Sequence, residues 1–245
     1  MAIDGEGGGG DRALRDYETV MFEHADLRRA FWDRYARRDR TPGLPEGLCF
    51  FGPTNGMGSP WPGCAENFVP MLTPDGCLIT TDGLSSPWGE DGDDEVEEDD
   101  WGEGIELYAE TTDLADADLE RIGGHWLLRA LMSLVAEIAG RNYRPTLEHY
   151  RWLSARIPLH DVPEGWANAA GEFCALFGGR DPRRPAHIPS KRDPEAVLLV
   201  PMVPLRPEEY EWAIGPGPGS RDELGARIEA SPDGIVWSAD RPSLV

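Results

Sequence analysis

Between Glu90 and Glu106 the chain carries eleven carboxylates and no basic residue: Glu90, Asp91, Asp93, Asp94, Glu95, Glu97, Glu98, Asp99, Asp100, Glu103 and Glu106. Like charges at this density repel one another, extend the backbone and leave little apolar area to bury, so the stretch reads as a solvated, mobile loop. Apolar, β-leaning runs flank it, CLITTDGL from Cys77 and GIELYAETTDL from Gly104. Two neighbouring strands of one sheet, interrupted by an acidic insertion over 90–103, are the simplest arrangement. The rest of the chain is then organised around that pair.

Two readings of the insertion stand at this point. It is either a solvated segment with no single role, or an electrostatic lure for a basic partner protein. On the second reading Asp93, Asp94, Glu97, Glu98 and Asp99 supply the charge and Trp101 supplies an aromatic anchor. The spacing does not match a calcium-binding EF loop, which needs alternating oxygen ligands, a central glycine and a terminal glutamate in register.

The eleven acids equal half of the formal net charge of -22 carried by the 245 residues. That balance repels nucleic acid and anionic membranes and draws in basic proteins over long range. With 40% hydrophobic and 28% charged residues the chain has the composition of a globular protein with a substantial core. No apolar run approaches the ~20 residues of a membrane span. The start, MAIDGEGGGG, lacks a basic and then apolar secretory pattern, so the expected location is the cytoplasm. Arginine nearly replaces lysine, of which Lys191 is the only one; with abundant Ala, Gly and Pro this is the mark of a GC-rich bacterial gene. Cys49, Cys64, Cys77 and Cys174 form no CxxC pair and sit beside no zinc-spaced His, so buried reduced thiols are expected.

In chain order, residues 1–10 form a flexible Gly-rich leader, and 11–40 an N-terminal helical extension. Leu14, Tyr17, Met21, Leu27, Phe31 and Tyr35 recur there at helical spacing. Arg28, Arg29, Arg34, Arg37, Arg38 and Arg40 fall toward its end, where cations complement the helix dipole; a patch for an acidic group is the alternative. Gly52 to Gly63 lacks the GKS or GKT of a phosphate loop and reads as a surface loop. Leu48–Phe51 reads as a short strand, and Phe68–Leu72 and Cys77–Thr81 as a hairpin about Pro74–Gly76. Asp113 is placed to cap a helix running to about Ala139, stopped by Gly140. Ser154–Leu159, Ala170–Phe177 and Ala196–Val203 follow as strands, the last the most apolar; Pro201 argues that its far end lies at an edge, a bulge or a strand terminus. Pro207 opens a further helix, Asp222–Glu229 is another, and Ile235–Trp237 is a final strand.

Thr81-Asp82-Gly83-Leu84-Ser85, then Gly104-Ile105-Glu106-Leu107-Tyr108, then Glu110-Thr111 resemble the TDGLS…GxEL…ET pattern of bacterial suppressor-of-fused-like domains. Val203-Pro204-Leu205 with Glu209, and the tail Asp240-Arg241-Pro242-Ser243-Leu244, are similar to later parts of the same family. These matches span residues 78–245; the acidic insertion departs from the family's short connection. The resemblance implies an α+β domain over 41–245, with a mixed β-sheet flanked by helices. It also implies a non-enzymatic role in binding and neutralising a partner protein, immunity to a polymorphic toxin being one form of that role.

Chemistry is not written into local motifs. His24, His125, His149, His160 and His187 form neither HExxH nor HxH, and there is no GxSxG elbow. Ser85 and Ser86 follow a turn and fit capping better than nucleophilic attack. No catalytic, cofactor or metal residue is therefore expected. The alternative is an enzyme or small-ligand protein with a site near His125, between sheet and helix.

Overall fold

The computed structural model describes residues 14–36, 50–51, 61–62, 67–88, 95–159, 161–215, 220–231 and 234–245. The leader at 1–10, the loop at 52–60, Cys49, Cys64, Asp93, Asp94 and His160 lie outside these residues.

The central strands are β3 (Asn67–Leu72), β4 (Cys77–Thr81), β6 (Ile105–Thr111), β10 (Val197–Leu205), β8 (Glu172–Gly178) and β7 (Trp152–Pro158), in that spatial order, with β2 (Phe50–Phe51) beside β3. Two short strands complete this sheet: β9 (His187–Ile188) pairs with β10, and β11 (Val236–Trp237) extends along β6 beyond it. β6 runs parallel to β10 and β11, while every other neighbouring pair is antiparallel, so the sheet is mixed. The two runs that bracket the acidic stretch are the antiparallel neighbours β4 and β6, with Cys77 opposite Thr111 and Thr80 opposite Tyr108.

Helices cover both faces. On one lie α2 (Leu119–Gly124), α3 (Trp126–Ile138) and α4 (Arg144–Tyr150); on the other lie α1 (Tyr17–Trp32), α5 (Pro207–Ile214) and α6 (Arg221–Ala230). The sheet's period of two sorts β6 between them. Ile105, Leu107 and Ala109 enter the core under α3, whose Leu127, Leu131, Leu134 and Val135 are all buried. Each of these Ile, Leu and Val side chains stabilises the fold by ~1.5–3 kcal/mol through apolar burial.

The opposite face of β6 presents Glu106, Tyr108 and Glu110, and α1 lies along it. Arg28 reaches Glu106 and Trp32 packs edge-on against Tyr108. Residues four apart on a helix advance about 6 Å and residues two apart on a strand about 6.7 Å, so the two series stay matched. The N-terminal helix is therefore part of the core rather than a solvated appendage.

Three expectations are corrected. The helix expected from Asp113 begins instead at α2, capped by Asp118, and breaks at His125, whose Nδ1 accepts from Leu127 N–H at 3.3 Å and caps α3. Asp113 accepts instead from the Ala239 N–H at 3.1 Å, pinning the chain beyond β11. Pro201 lies inside a central strand. Leu199 N–H points to Ala186 O, so alternation turns the proline's missing N–H into the gap between the β9 and β8 pairings, where no ladder bond is lost.

Candidate functional site

The described part of the acidic insertion is structured, which corrects the expectation of a mobile loop for residues 95–103. β5 (Glu95–Glu97) pairs antiparallel with β1 (Leu14–Asp16) in a two-stranded ribbon outside the main sheet. Arg15 ties it to α1 through Glu23 at 2.8 Å and Glu98 at 3.3 Å, and Arg192 reaches Glu98 at 2.8 Å. Trp101 stacks on His24 of α1, ring centroids 3.7 Å apart and 11° from parallel.

A buried polar network seats this corner. Arg28, 3% exposed, donates to Asp82 at 2.6 Å and to the Ser85 and Ser86 hydroxyls at 3.2 Å. Glu106, fully buried, accepts from Ser85 Oγ at 2.6 Å, from the N–H groups of Ser85 and Gly83 at 3.0 and 3.2 Å, and from the Thr81 hydroxyl. Arg28 thus serves as the buried counter-ion of Asp82 and Glu106, which overturns the expectation that it belongs to a solvated terminal cluster. Arg29 fits that expectation, exposed beside Asp26. Ser85 is held between a carboxylate and a guanidinium, with no imidazole among the described residues on its hydroxyl, a capping arrangement rather than that of an activated nucleophile.

Two further buried clusters stitch the fold. Glu110 accepts from Arg183 and Arg184 at 2.8 and 2.7 Å, and Asp181 binds both arginines and Tyr108. Burial drives the Tyr108 hydroxyl well above its ordinary pKa. Glu103, expected within the solvated run, is buried and accepts from the N–H groups of Gly140 and Asn142 beyond α3. Burial raises its pKa, opposed by those two bonds.

Of the residues assigned to partner contact, Glu97 ends β5, Glu98 is the partly buried ion-pair hub, Asp99 is exposed, and Trp101 is half-covered by His24. The structure brings these four to one corner. It adds residues that sequence reasoning missed: Leu14 at 58%, Phe22 at 61% and Trp88 at 44% exposure are three of the six large apolar side chains left exposed among the described residues. Leu14 is paired opposite Glu97, Phe22 lies on the outer face of α1, and the Trp88 N–H binds Asp100. The available sequence signal was Phe22 flanked at four-residue spacing by Glu18 and Asp26, an apolar side chain on an otherwise charged helical stripe.

His125 packs at the edge of an aromatic cluster of Trp126, Trp166, Trp237 and Phe173. Burial pushes its imidazole down to about 4, with Asp113 opposing; His24 is likewise pushed down to about 4 by burial and then by the Arg28 charge. Both are neutral in the fold, whereas an unfolded histidine titrates near pH 6.5. Because the unfolded chain then binds more protons, stability is complete above about pH 6.5 and declines toward pH 4, by roughly 3 kcal/mol for the buried His24 and by less for His125, whose shift solvent screens. Urea midpoints at pH 7 and pH 4.5 for the wild type and His24→Gln should differ less in the variant; an equal acid loss would contradict this role.

Among the described residues no three His, Cys, Asp or Glu side chains are grouped to hold a metal ion, and no helix is long and apolar enough to cross a membrane. Cys77 and Cys174 are buried free thiols raised to about 12 and about 11, first by burial. Comparison with protein-family models, with curated proteins and with solved structures found no match for this chain.

Proposed function

We propose that the protein is a binding domain that captures and neutralises a basic partner protein, and that the corner built from β1, β5, α1 and the Trp88 loop is its contact surface. The observation that carries this reading is the ordered acidic ribbon itself, in which exposed Leu14 pairs opposite Glu97 and beside which exposed Trp88 is held by Asp100, with exposed Phe22 on the outer face of the neighbouring α1. Exposed apolar groups rimmed by charge are the anatomy of a protein interface, and charge of one sign speeds encounter with its opposite. The net charge of -22 supports a cationic partner and argues against nucleic acid or an anionic membrane. The resemblance to suppressor-of-fused-like domains supports the same role, with a toxin domain as partner and the cytoplasm as the place of action.

The test is capture from the cell of origin with the wild type and with a Phe22→Ser, Trp88→Ser, Asp99→Asn variant. These side chains are exposed, so thermal stability should hold while the captured partner is lost. Raising salt from 50 to 500 mM should also weaken capture by an order of magnitude or more, through Debye screening of the ribbon. A partner retained equally by both proteins at both salts contradicts the proposed surface.

A further inference from the structure

β7 ends the sheet: β8 pairs with it on one side, and among the described residues no strand lies on the other. Its seven residues run opposite Gly178 to Glu172 in one unbroken register, without a bulge. Both faces of the strand are covered. Trp152 joins the core beneath α6 and Leu153 and Ile157 the core beneath α3, while Ser154, Ala155, Arg156 and Pro158 stay half-buried or exposed.

The bonds at the two ends of β8 show which backbone groups face outward. Gly179 N–H reaches across to the Arg151 carbonyl at 2.7 Å, whereas the Glu172 carbonyl accepts from Asn168 N–H at 2.9 Å instead of bonding to β7. N–H and C=O alternate sides along an antiparallel ladder. Leu153, Ala155 and Ile157 therefore bond to β8, while Trp152, Ser154 and Arg156 aim both their N–H and C=O, and Pro158 its C=O, at the open side. None of these outward groups has a hydrogen-bond partner among the described residues. Edge strands are ordinarily blunted by shortness, proline, lysine, a bulge or an inward charge. β7 carries a proline only at its last position, and its one charge, Arg156, lies 3.8 Å from Glu172.

The open side is complementary to itself. Two antiparallel copies related by a twofold axis at Ala155 set Ser154 opposite Arg156 of the second copy, and these residues exchange their outward N–H and C=O groups. Trp152 N–H meets the Pro158 carbonyl of the second copy, so the missing proline N–H falls at the last pair. Leu153 faces Ile157 on the α3 side, and Ala155 faces itself at the axis, a small residue where the two chains come closest. A register centred on Arg156 opposes two guanidinium groups, and one centred on Ser154 leaves Ile157 and Pro158 beyond the paired strand. The acidic corner is seated on β6, three strand spacings or about 14 Å from β7, and the Debye length in physiological salt is about 8 Å, so its charge is largely screened at this edge.

We propose that β7 is the pairing edge of a symmetric homodimer, in which the sheets of two copies join across Ala155 into one continuous sheet. The edge is independent of the acidic corner, and either can fail without the other.

The experiment is sedimentation velocity in about 150 mM salt, from about 5 to about 300 µM protein. The wild type is expected to pass from monomer to dimer across this range. Ser154→Pro removes an outward N–H and no bond to β8, so its melting temperature should hold while the dimer weakens at least tenfold. Oxidative cross-linking reads the register separately. Ala155→Cys brings two Cα atoms to about 4.5 Å across the axis, inside the disulfide range of about 4.4–6.8 Å, whereas Ser154→Cys leaves its equivalents on a diagonal of about 7–8 Å or more. A covalent dimer is expected from Ala155→Cys and from neither Ser154→Cys nor the wild type. A monomer at every concentration, a dimer undiminished by Ser154→Pro, or cross-linking that fails at 155 or favours 154 overturns the proposal.

Discussion

Glu106→Ala is expected to destabilise the protein by about 3–5 kcal/mol, because it removes one partner from a buried, hydrogen-bonded charge network. The carboxylate is fully buried and is the acceptor shared by Thr81, Gly83 and both polar groups of Ser85, while Arg28 lies 3.6 Å away. Truncation leaves those donors buried without an acceptor, each at a cost of about 1–3 kcal/mol if unrelieved by water. Asp82 still holds Arg28, which keeps the total below the sum of those costs. For a chain of this size the loss corresponds to a drop of about 10 °C in melting temperature. Glu106→Gln keeps an acceptor oxygen and should lose less than the alanine variant. Equal melting temperatures for wild type and Glu106→Ala, measured by calorimetry, would show that the network contributes nothing.

Glu209→Ala should be of similar size, about 3–5 kcal/mol, for the same physical reason in a different place. Glu209 opens α5 and is fully buried; it accepts two bonds from Arg241 at 2.8 and 2.6 Å, together with the N–H groups of Arg206 and Leu244 at 2.8 and 2.9 Å. The segment after β11 is held by this carboxylate, by Asp113 on the Ala239 N–H, by Arg206 on the Arg241 carbonyl and by Arg227 on the Leu244 carbonyl. Without Glu209 the Arg241 charge, 3% exposed and stacked over Trp166, is left buried beside an apolar ring. Proteolysis should then begin in residues 238–245, whereas Glu106→Ala should first expose the corner at α1. A double variant Glu209→Ala, Arg241→Met, which removes both charges, should recover part of the loss; no recovery would contradict the ion-pair explanation.

These two glutamates also mark how far the sequence could be read. The strand pair β4 and β6, the hairpin of β3 and β4, the central β10 and helices α1, α3, α5 and α6 follow from period and turn chemistry, which are local. The fate of each carboxylate between 95 and 106 does not. Charge density assigns all of them to solvent, yet Glu103 and Glu106 are buried and Glu98 is an ion-pair hub, because their partners arrive from Gly140, Arg28, Arg15 and Arg192. Arg28 was misplaced for the mirror-image reason: capping logic sees a cation near a helix end, and its two acids lie more than fifty residues away. The break at His125 was hidden because Gly123-Gly124 weakens a helix without fixing where it stops. The proposed contact surface was half legible. Its acids stand out as a run, whereas Leu14, Phe22 and Trp88 gain meaning only from the exposure that the fold gives them.

The proposed function places a partner protein on the ordered acidic corner that the buried Arg28 network seats. Amide hydrogen exchange on the free protein and on its complex with the captured partner tests this most directly. New protection is expected at Leu14–Asp16, along the outer face of α1 around Phe22 and at Glu95–Trp101, with α3 and α4 on the opposite face of the sheet unchanged. Protection confined to other surfaces, with the corner exchanging at the same rate in both states, would contradict it.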